Sequence, residues 1–313
     1  MMTRKTPAPA ADRHLPTPRR VRFDLESTPL HWIPGDPFAT HLINGIHTLL
    51  PAGELWFCRV YNKALPLVTD PVLRAEVQAF IRQEAIHARV HQSGQAYLAE
   101  HGLDPSEMVA RADRLFGILL GDAPLGLPLL QRKALEKHWL VLRVGVIAAV
   151  EHFTGMLGQW CMDNTSWDRA DPVMADLFRW HLAEEVEHRT VAFDLFAHLC
   201  ETELGFYVSR QVLMAAVFPL FVHFVFEAFR VMASQDDSGP AIRRLARASL
   251  PRLLLALEVD GRRTENVPTF SFLLAGTLRW LSPRFHPETE GDTAQALAYL
   301  ARSPAAQAAA AVH

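Results

Sequence analysis

Apolar residues recur along most of this chain at the three- and four-residue steps of an amphipathic helix, and no segment alternates with period two between turn residues. The pattern predicts an all-α fold. Phe38 to Leu50 reads as a first helix, and Pro51 opens a second whose apolar face carries Glu54, Phe57, Cys58 and Tyr61. Asp70-Pro71 joins an N-cap oxygen to a proline at the first helical position, starting a helix that runs to His101 and stops at Gly102. Asp104-Pro105 opens the next helix by the same chemistry. A linker from Gly121 to Pro128 precedes a long run from Leu129 to Asp163, and Asp171-Pro172 caps a helical run to Cys200. Val21 to Asp36 lacks a period and reads as an extended lead-in.

Past Gly205 the pattern changes. Val212 to Phe229 is apolar except at Pro219, His223 and Glu227, and is about the length needed to cross a bilayer. A second apolar patch, Phe270 to Leu281, follows Arg243, Arg244, Arg247 and Arg252. Three readings stay open for 212–229 and 270–281. They are a buried core helix, an interfacial helix or hairpin drawn to anionic lipid by the arginines, or a full span, against which the polar residues count.

Polar residues on apolar stripes carry the chemistry. In Trp180–His188 a step of about 100° per residue aligns His181, Glu185 and His188. A solvated acidic face would explain Glu184, Glu185 and Glu187, but not two histidines flanking Glu185 on its own stripe. Phe80, Glu84, His87 and His91 share another stripe, and Glu151 follows the apolar run from Ile147 to Val150. Two helices with a lone glutamate, Glu54 and Glu151, thus alternate with two carrying Glu-x-x-His. That is the ligand set of di-iron carboxylate sites in four-helix bundles. Four carboxylates in an apolar bundle need compensating charge, which two divalent cations supply. The lone glutamates are expected to bridge them. Glu54 and Glu84 lie 30 residues apart and Glu151 and Glu185 lie 34 apart, as antiparallel pairs require. The 64 residues from His87 to Glu151 suit a ferritin-like crossover. The expected organisation is a disordered basic tail at 1–20, a ferritin-like di-metal bundle at 21–203, additional C-terminal hydrophobic helices at 204–303, and a second loose tail at 304–313.

Composition adds limits. A formal charge of −3 over 313 residues gives no electrostatic case for nucleic acid. Cys58, Cys161 and Cys200 are far apart within apolar patterns, as buried thiols in a reducing compartment would be. The first twenty residues mix prolines and arginines without an apolar core, so no signal peptide is expected. A cytoplasmic protein follows, membrane-associated if its apolar tracts touch lipid.

The motifs Arg82-Gln83-Glu84-x-x-His87, Glu151-His152-Phe153-Thr154 and His181-x-x-x-Glu185-x-x-His188 resemble the bacterial family called predicted metal-dependent hydrolases, over roughly Val21 to Leu281. His181 is also similar to the extra histidine ligand of the arylamine N-oxygenases, typified by p-aminobenzoate N-oxygenase. These resemblances imply one metal held by a glutamate and a histidine, and another by a glutamate and two histidines. The expected ligands are Glu54, Glu84, His87, Glu151, His181, Glu185 and His188. The leading expectation is an O₂-activating oxygenase or oxidase with two iron ions, manganese being the second choice. It would act on a hydrophobic or amine-bearing small molecule and draw on an external electron donor. The alternatives are a di-metal hydrolase, in which the metals activate water, and a non-catalytic metal-binding protein. Homodimer formation is left open.

Lesser features have two readings each. Tyr61 is a hydrogen-bonding or redox tyrosine, or a core aromatic. His91 is an outer partner of the site, or a surface histidine. Gly155 and Gly158 make room for substrate, or let two helices approach. Glu184 competes with Glu185, which is favoured because it repeats the Glu84/His87 spacing. His152 points about 100° away from Glu151 and is no ligand.

Overall fold

A computed structural model of the chain describes residues 14–311. Its regular structure is helical, with no strand among the described residues. The helices are α1 (Pro37–Asn44), α2 (Ile46–Ala64), α3 (Pro71–Glu100), α4 (Ser106–Asp113), α5 (Lys133–Met162), α6 (Pro172–His188), α7 (Val191–Leu199), α8 (Glu203–Gln235), α9 (Pro240–Ala246), α10 (Leu250–Thr264), α11 (Phe270–Trp280), α12 (Thr293–Leu300) and α13 (Pro304–Ala310). Helix α2 packs along α3, α5 packs along α6, and the two pairs meet through α2–α5 and α3–α6 contacts. These four helices enclose the polar residues discussed below.

Two caps behave as their sequences demand. The Asp70 carboxylate accepts from the Val72 and Leu73 amides, and Asp171 does the same for Val173 and Met174. Elsewhere the boundaries move. The first helix does not reach Leu50: it breaks at Gly45, where an added Cβ would lie 2.9 Å from Ala228 Cβ of α8. Pro51 does not start a helix but sits inside α2. A proline there leaves the carbonyl four residues back without its amide partner. That carbonyl belongs to His47, and Gln95 Nε2 of α3 donates to it at 2.9 Å. The run from Asp171 to Cys200 is also split, after His188. At the split the buried Arg189 guanidinium donates to the carbonyls of Val186, Pro287, Glu288 and Gly291 and to Thr293 Oγ1. It thereby ties the turn before α12 to the end of α6.

Chain ends expected to be loose are partly held. Of the tail at 1–20, residues 1–13 lie outside the described residues, while His14, Thr17 and Arg19 bond to side chains of α3 or α6. Of the tail at 304–313, residues 304–310 form α13, with Ala305 and Ala306 buried. Helix α8 is fastened to α7 and α11 through Arg210. This buried guanidinium lies within 6 Å of the rings of Phe193, Phe206, Tyr207, Trp280 and Phe285, and donates to the carbonyls of Ser282 and Phe285. Burial lowers it to about 10. Helices α5 and α8 are long and apolar enough to cross a membrane by length and composition, and α8 keeps Val208, Val212 and Leu220 exposed.

Candidate metal centre

Glu54 comes from α2, Glu84 and His87 from α3, Glu151 from α5, and His181, Glu185 and His188 from α6. All seven are at most 3% exposed. Their donor atoms form overlapping groups, within each of which the atoms lie no more than 4.8 Å apart. One group joins Glu84, Glu151, Glu185 and His188; others join Glu54, Glu84 and His87, or His87, His181 and Glu185. A further group joins Glu54, His91 and His181, so Glu54, Glu84, His87, His181 and Glu185 each belong to two groups, and Glu151 and His188 to one.

Each histidine turns one ring nitrogen inward and has its other nitrogen held from outside. Nε2 of His87 donates to Glu184 Oε2 at 2.9 Å, leaving Nδ1 3.4 Å from both Glu84 and Glu185. Nδ1 of His188 donates to Gln83 Oε1 at 3.0 Å, leaving Nε2 3.2 Å from Glu151 and from Glu185. Nδ1 of His181 contacts His91 Nε2 at 2.5 Å, while its Nε2 lies 2.8 Å from Glu185. Glu184 and Glu185, rivals in the sequence, thus divide: Glu185 faces inward, and Glu184 grips the outer edge of His87.

Residues before α1 complete this outer layer. Arg19 donates to Glu184 at 2.9 Å and to Glu187 at 2.8 Å, and Glu187 also takes Gln83 Nε2 at 2.8 Å and His14 Nε2 at 2.6 Å. Burial opposes charge on Glu187, but Arg19 and then His14 hold it below the usual carboxylate range. Only Gln83 had a local sequence signal, through its place beside Glu84. The parts played by His14, Arg19 and Glu187 depend on contacts across more than 160 residues.

The interior is strongly perturbed. Burial and then Glu84 raise the Glu54 carboxyl well above its usual range, and burial with Glu185 pushes Glu151 up to about 8. Burial works against charge on Glu185 too, but His188, His181 and His87 hold it well below. Burial disfavours protonated His87 and His188, yet Glu184 and Glu185 around the first, and Glu185 and Glu151 around the second, raise both well above the ordinary value. Despite this compensation, both oxygens of Glu54, Oε1 of Glu84, Nδ1 of His87 and Oε2 of Glu151 are buried without a hydrogen-bond partner. Buried polar atoms are rarely left so. Carboxylate oxygens and imidazole nitrogens, converging and otherwise unsatisfied, fit divalent cations.

The lesser features also separate. Tyr61 is buried against Phe80, its hydroxyl unpartnered and raised by burial and by Glu151 and Glu84. His91 is fully buried and bonded to His181, as an outer partner of the site and not a surface histidine. His152 turns away and its Nε2 donates to Gly276 O at 3.0 Å. Gly155 and Gly158 let α5 approach α6: an added Cβ would lie 2.9 Å from Arg189 Cβ at the first and 2.7 Å from Val186 Cγ2 at the second.

Fold and cluster together define an all-helical protein with a buried histidine–carboxylate centre of metal-binding type. Residues 17–291 match the family described as predicted metal-dependent hydrolase, and the chain belongs to that family. Searches of curated proteins and of solved structures gave no match. The family match corrects the leading sequence expectation of an O₂-activating oxygenase: it describes metal-dependent hydrolysis, the alternative reading.

Proposed function

We propose that the cluster holds two divalent cations and that the protein uses them to hydrolyse a small-molecule substrate. The observation that carries this reading is the set of buried, unpartnered oxygens and nitrogens of Glu54, Glu84, His87 and Glu151 aimed at one another. In this reading Glu54, Glu84, Glu151 and Glu185 would supply carboxylates to the cations, and His87, His181 and His188 neutral nitrogens. Iron or manganese suits these donors, and the four helices take a ferritin-like order.

Bound cations supply Lewis acidity toward a carbonyl or phosphoryl oxygen and acidify a held water. The chain's residues prepare for that. Glu184 fixes His87 with Nδ1 inward, and Gln83 fixes His188 with Nε2 inward, so neither ring needs to reorient. Arg19 pairs with both Glu184 and Glu187, and so holds Glu184 in place as an acceptor for His87. Apolar walls from Phe80 and Trp180, packed on His188 and His87, keep bulk water from these rings.

The test combines metal analysis with hydrolysis of a panel of chromogenic esters, amides and phosphoesters in ¹⁸O-water. The expected result is two metals per chain and ¹⁸O in the product. Activity should be lost on chelation and restored by Fe²⁺ or Mn²⁺, and Glu151→Ala should show reduced metal content. A metal-loaded protein with no turnover on any of the three classes, or one whose turnover survives chelation, would overturn the proposal.

A further inference from the structure

Three imidazoles run outward from the cluster in single file. His181 Nε2 lies 2.8 Å from Glu185 Oε1, and His181 Nδ1 lies 2.5 Å from His91 Nε2. His91 Nδ1 lies 2.8 Å from His47 Nδ1, and His47 Nε2 has no partner. All three are at most 3% exposed, and the His47 ring ends the file against Phe178. Gly94 makes the last link: a Cβ there would collide with the His47 ring.

Each link needs one N–H and one lone pair. A neutral imidazole has one N–H and one lone pair, so along the file each ring can give its N–H to one neighbour and its lone pair to the other. Each neutral ring carries one proton, and fixing one tautomer fixes the others. With His181 Nε2 donating to the Glu185 carboxylate, His91 must donate from Nε2, and His47 from Nδ1. With a cation on His181 Nε2, that nitrogen must offer its lone pair. His181 then donates from Nδ1, His91 from Nδ1, and His47 Nε2 carries the last proton.

We propose that His47, His91 and His181 form a tautomer relay, in which a cation on His181 Nε2 reverses both inter-histidine hydrogen bonds and His91 and His47 act as positioning residues for that ligand. The inference rests on the metal reading above. The protons balance. His181 releases its Nε2 proton to solvent, the His91 Nε2 proton passes to His181 Nδ1, and the His47 Nδ1 proton passes to His91 Nδ1. His47 Nε2 takes one from solvent during local opening. Every ring ends with one proton and the file's charge is unchanged.

The experiment uses the full chain labelled with ¹⁵N-histidine. Two-bond ¹H–¹⁵N correlations read each tautomer without metal and with Zn²⁺, a diamagnetic probe, and native mass spectrometry counts bound zinc. The expected metal-free forms are Nε2–H for His181 and His91 and Nδ1–H for His47, all three reversing with zinc. Replacing His47 by leucine should weaken zinc binding about tenfold or more, as loss of an outer partner does. His47→Asn, whose Oδ1 stands where Nδ1 was, should retain most of the affinity. Unchanged His91 and His47 tautomers on zinc-loaded protein would overturn the relay, as would equal losses in the two variants. Different metal-free tautomers would overturn the file itself. Failure to bind any zinc would instead overturn the metal reading, and the reversal with it.

Discussion

Replacing Glu54 by methionine should make the metal-free protein more stable while spoiling its metal binding. Both Glu54 oxygens are buried and unpartnered, and burial raises the carboxyl well above its usual range. A buried polar group without a partner costs about 1–3 kcal/mol. Methionine has similar length, no such group, and the flexibility to fill the space. Glu54→Met should therefore gain about 1–3 kcal/mol in EDTA, or roughly 2–6 °C in melting temperature for a domain of this size. Glu54→Gln keeps an unpartnered amide and should stay within about 0.5 kcal/mol of wild type. The sign with pH follows from the raised carboxyl. The folded state binds the extra proton, so the penalty is absent below the unfolded value and grows as pH rises. The methionine advantage should grow likewise. With metal the order should invert, because ligand at a hundred times its Kd adds about 2.7 kcal/mol per site to wild type. Thermal melts by circular dichroism in EDTA and in metal, at pH 6 and pH 8, read all of this. A folded Glu54→Met that melts below wild type in EDTA would refute the reasoning.

Other substitutions probe the frame. Gly158→Ala should cost about 1–3 kcal/mol in urea unfolding, because the methyl meets Val186 and the Leu182 carbonyl across the α5–α6 contact. Arg19→Ala should cost about 3–5 kcal/mol by leaving buried Glu184 and Glu187 uncompensated, and adding Glu187→Gln should recover part of the loss. Urea titration of the single and double variants checks this. Asp236 is opposed by burial but held down to about 2, chiefly by His41, which is itself lowered by burial. Both shifts favour the folded state at higher pH. The Asp236 contribution should be complete above about pH 4, its unfolded range, and lost as pH falls through about 2. Asp236→Asn should flatten that acid limb in a pH series of melts.

Local chemistry made part of this protein legible from its residues. Aspartate-proline pairs at 70–71 and 171–172 start helices because cap and ring act within one turn. The alternation of Glu54, Glu84/His87, Glu151 and Glu185/His188 foretold which side chains meet, because helical spacing alone sets which side chains share a face. What escaped was long-range. Pro51 remains inside a helix because Gln95, 44 residues on, takes the stranded His47 carbonyl. Arg19 and His14 could not be connected to α6 by any local pattern. Chemistry escaped for another reason. The same oxygens and nitrogens serve a cation that polarises a substrate and one that exchanges electrons, so donor spacing does not choose between hydrolysis and oxygen activation.

Residues 14–19 leave the ribosome before the helices they lie against. Their acceptors, Glu184 and Glu187, follow about 165–173 residues later, so this clasp cannot close until α6 has been made. Protein captured partway through folding should show His87 and His188 in more than one orientation, with the opening of the chain still accessible to protease. The earliest described segment to be synthesised would then be among the last to lock.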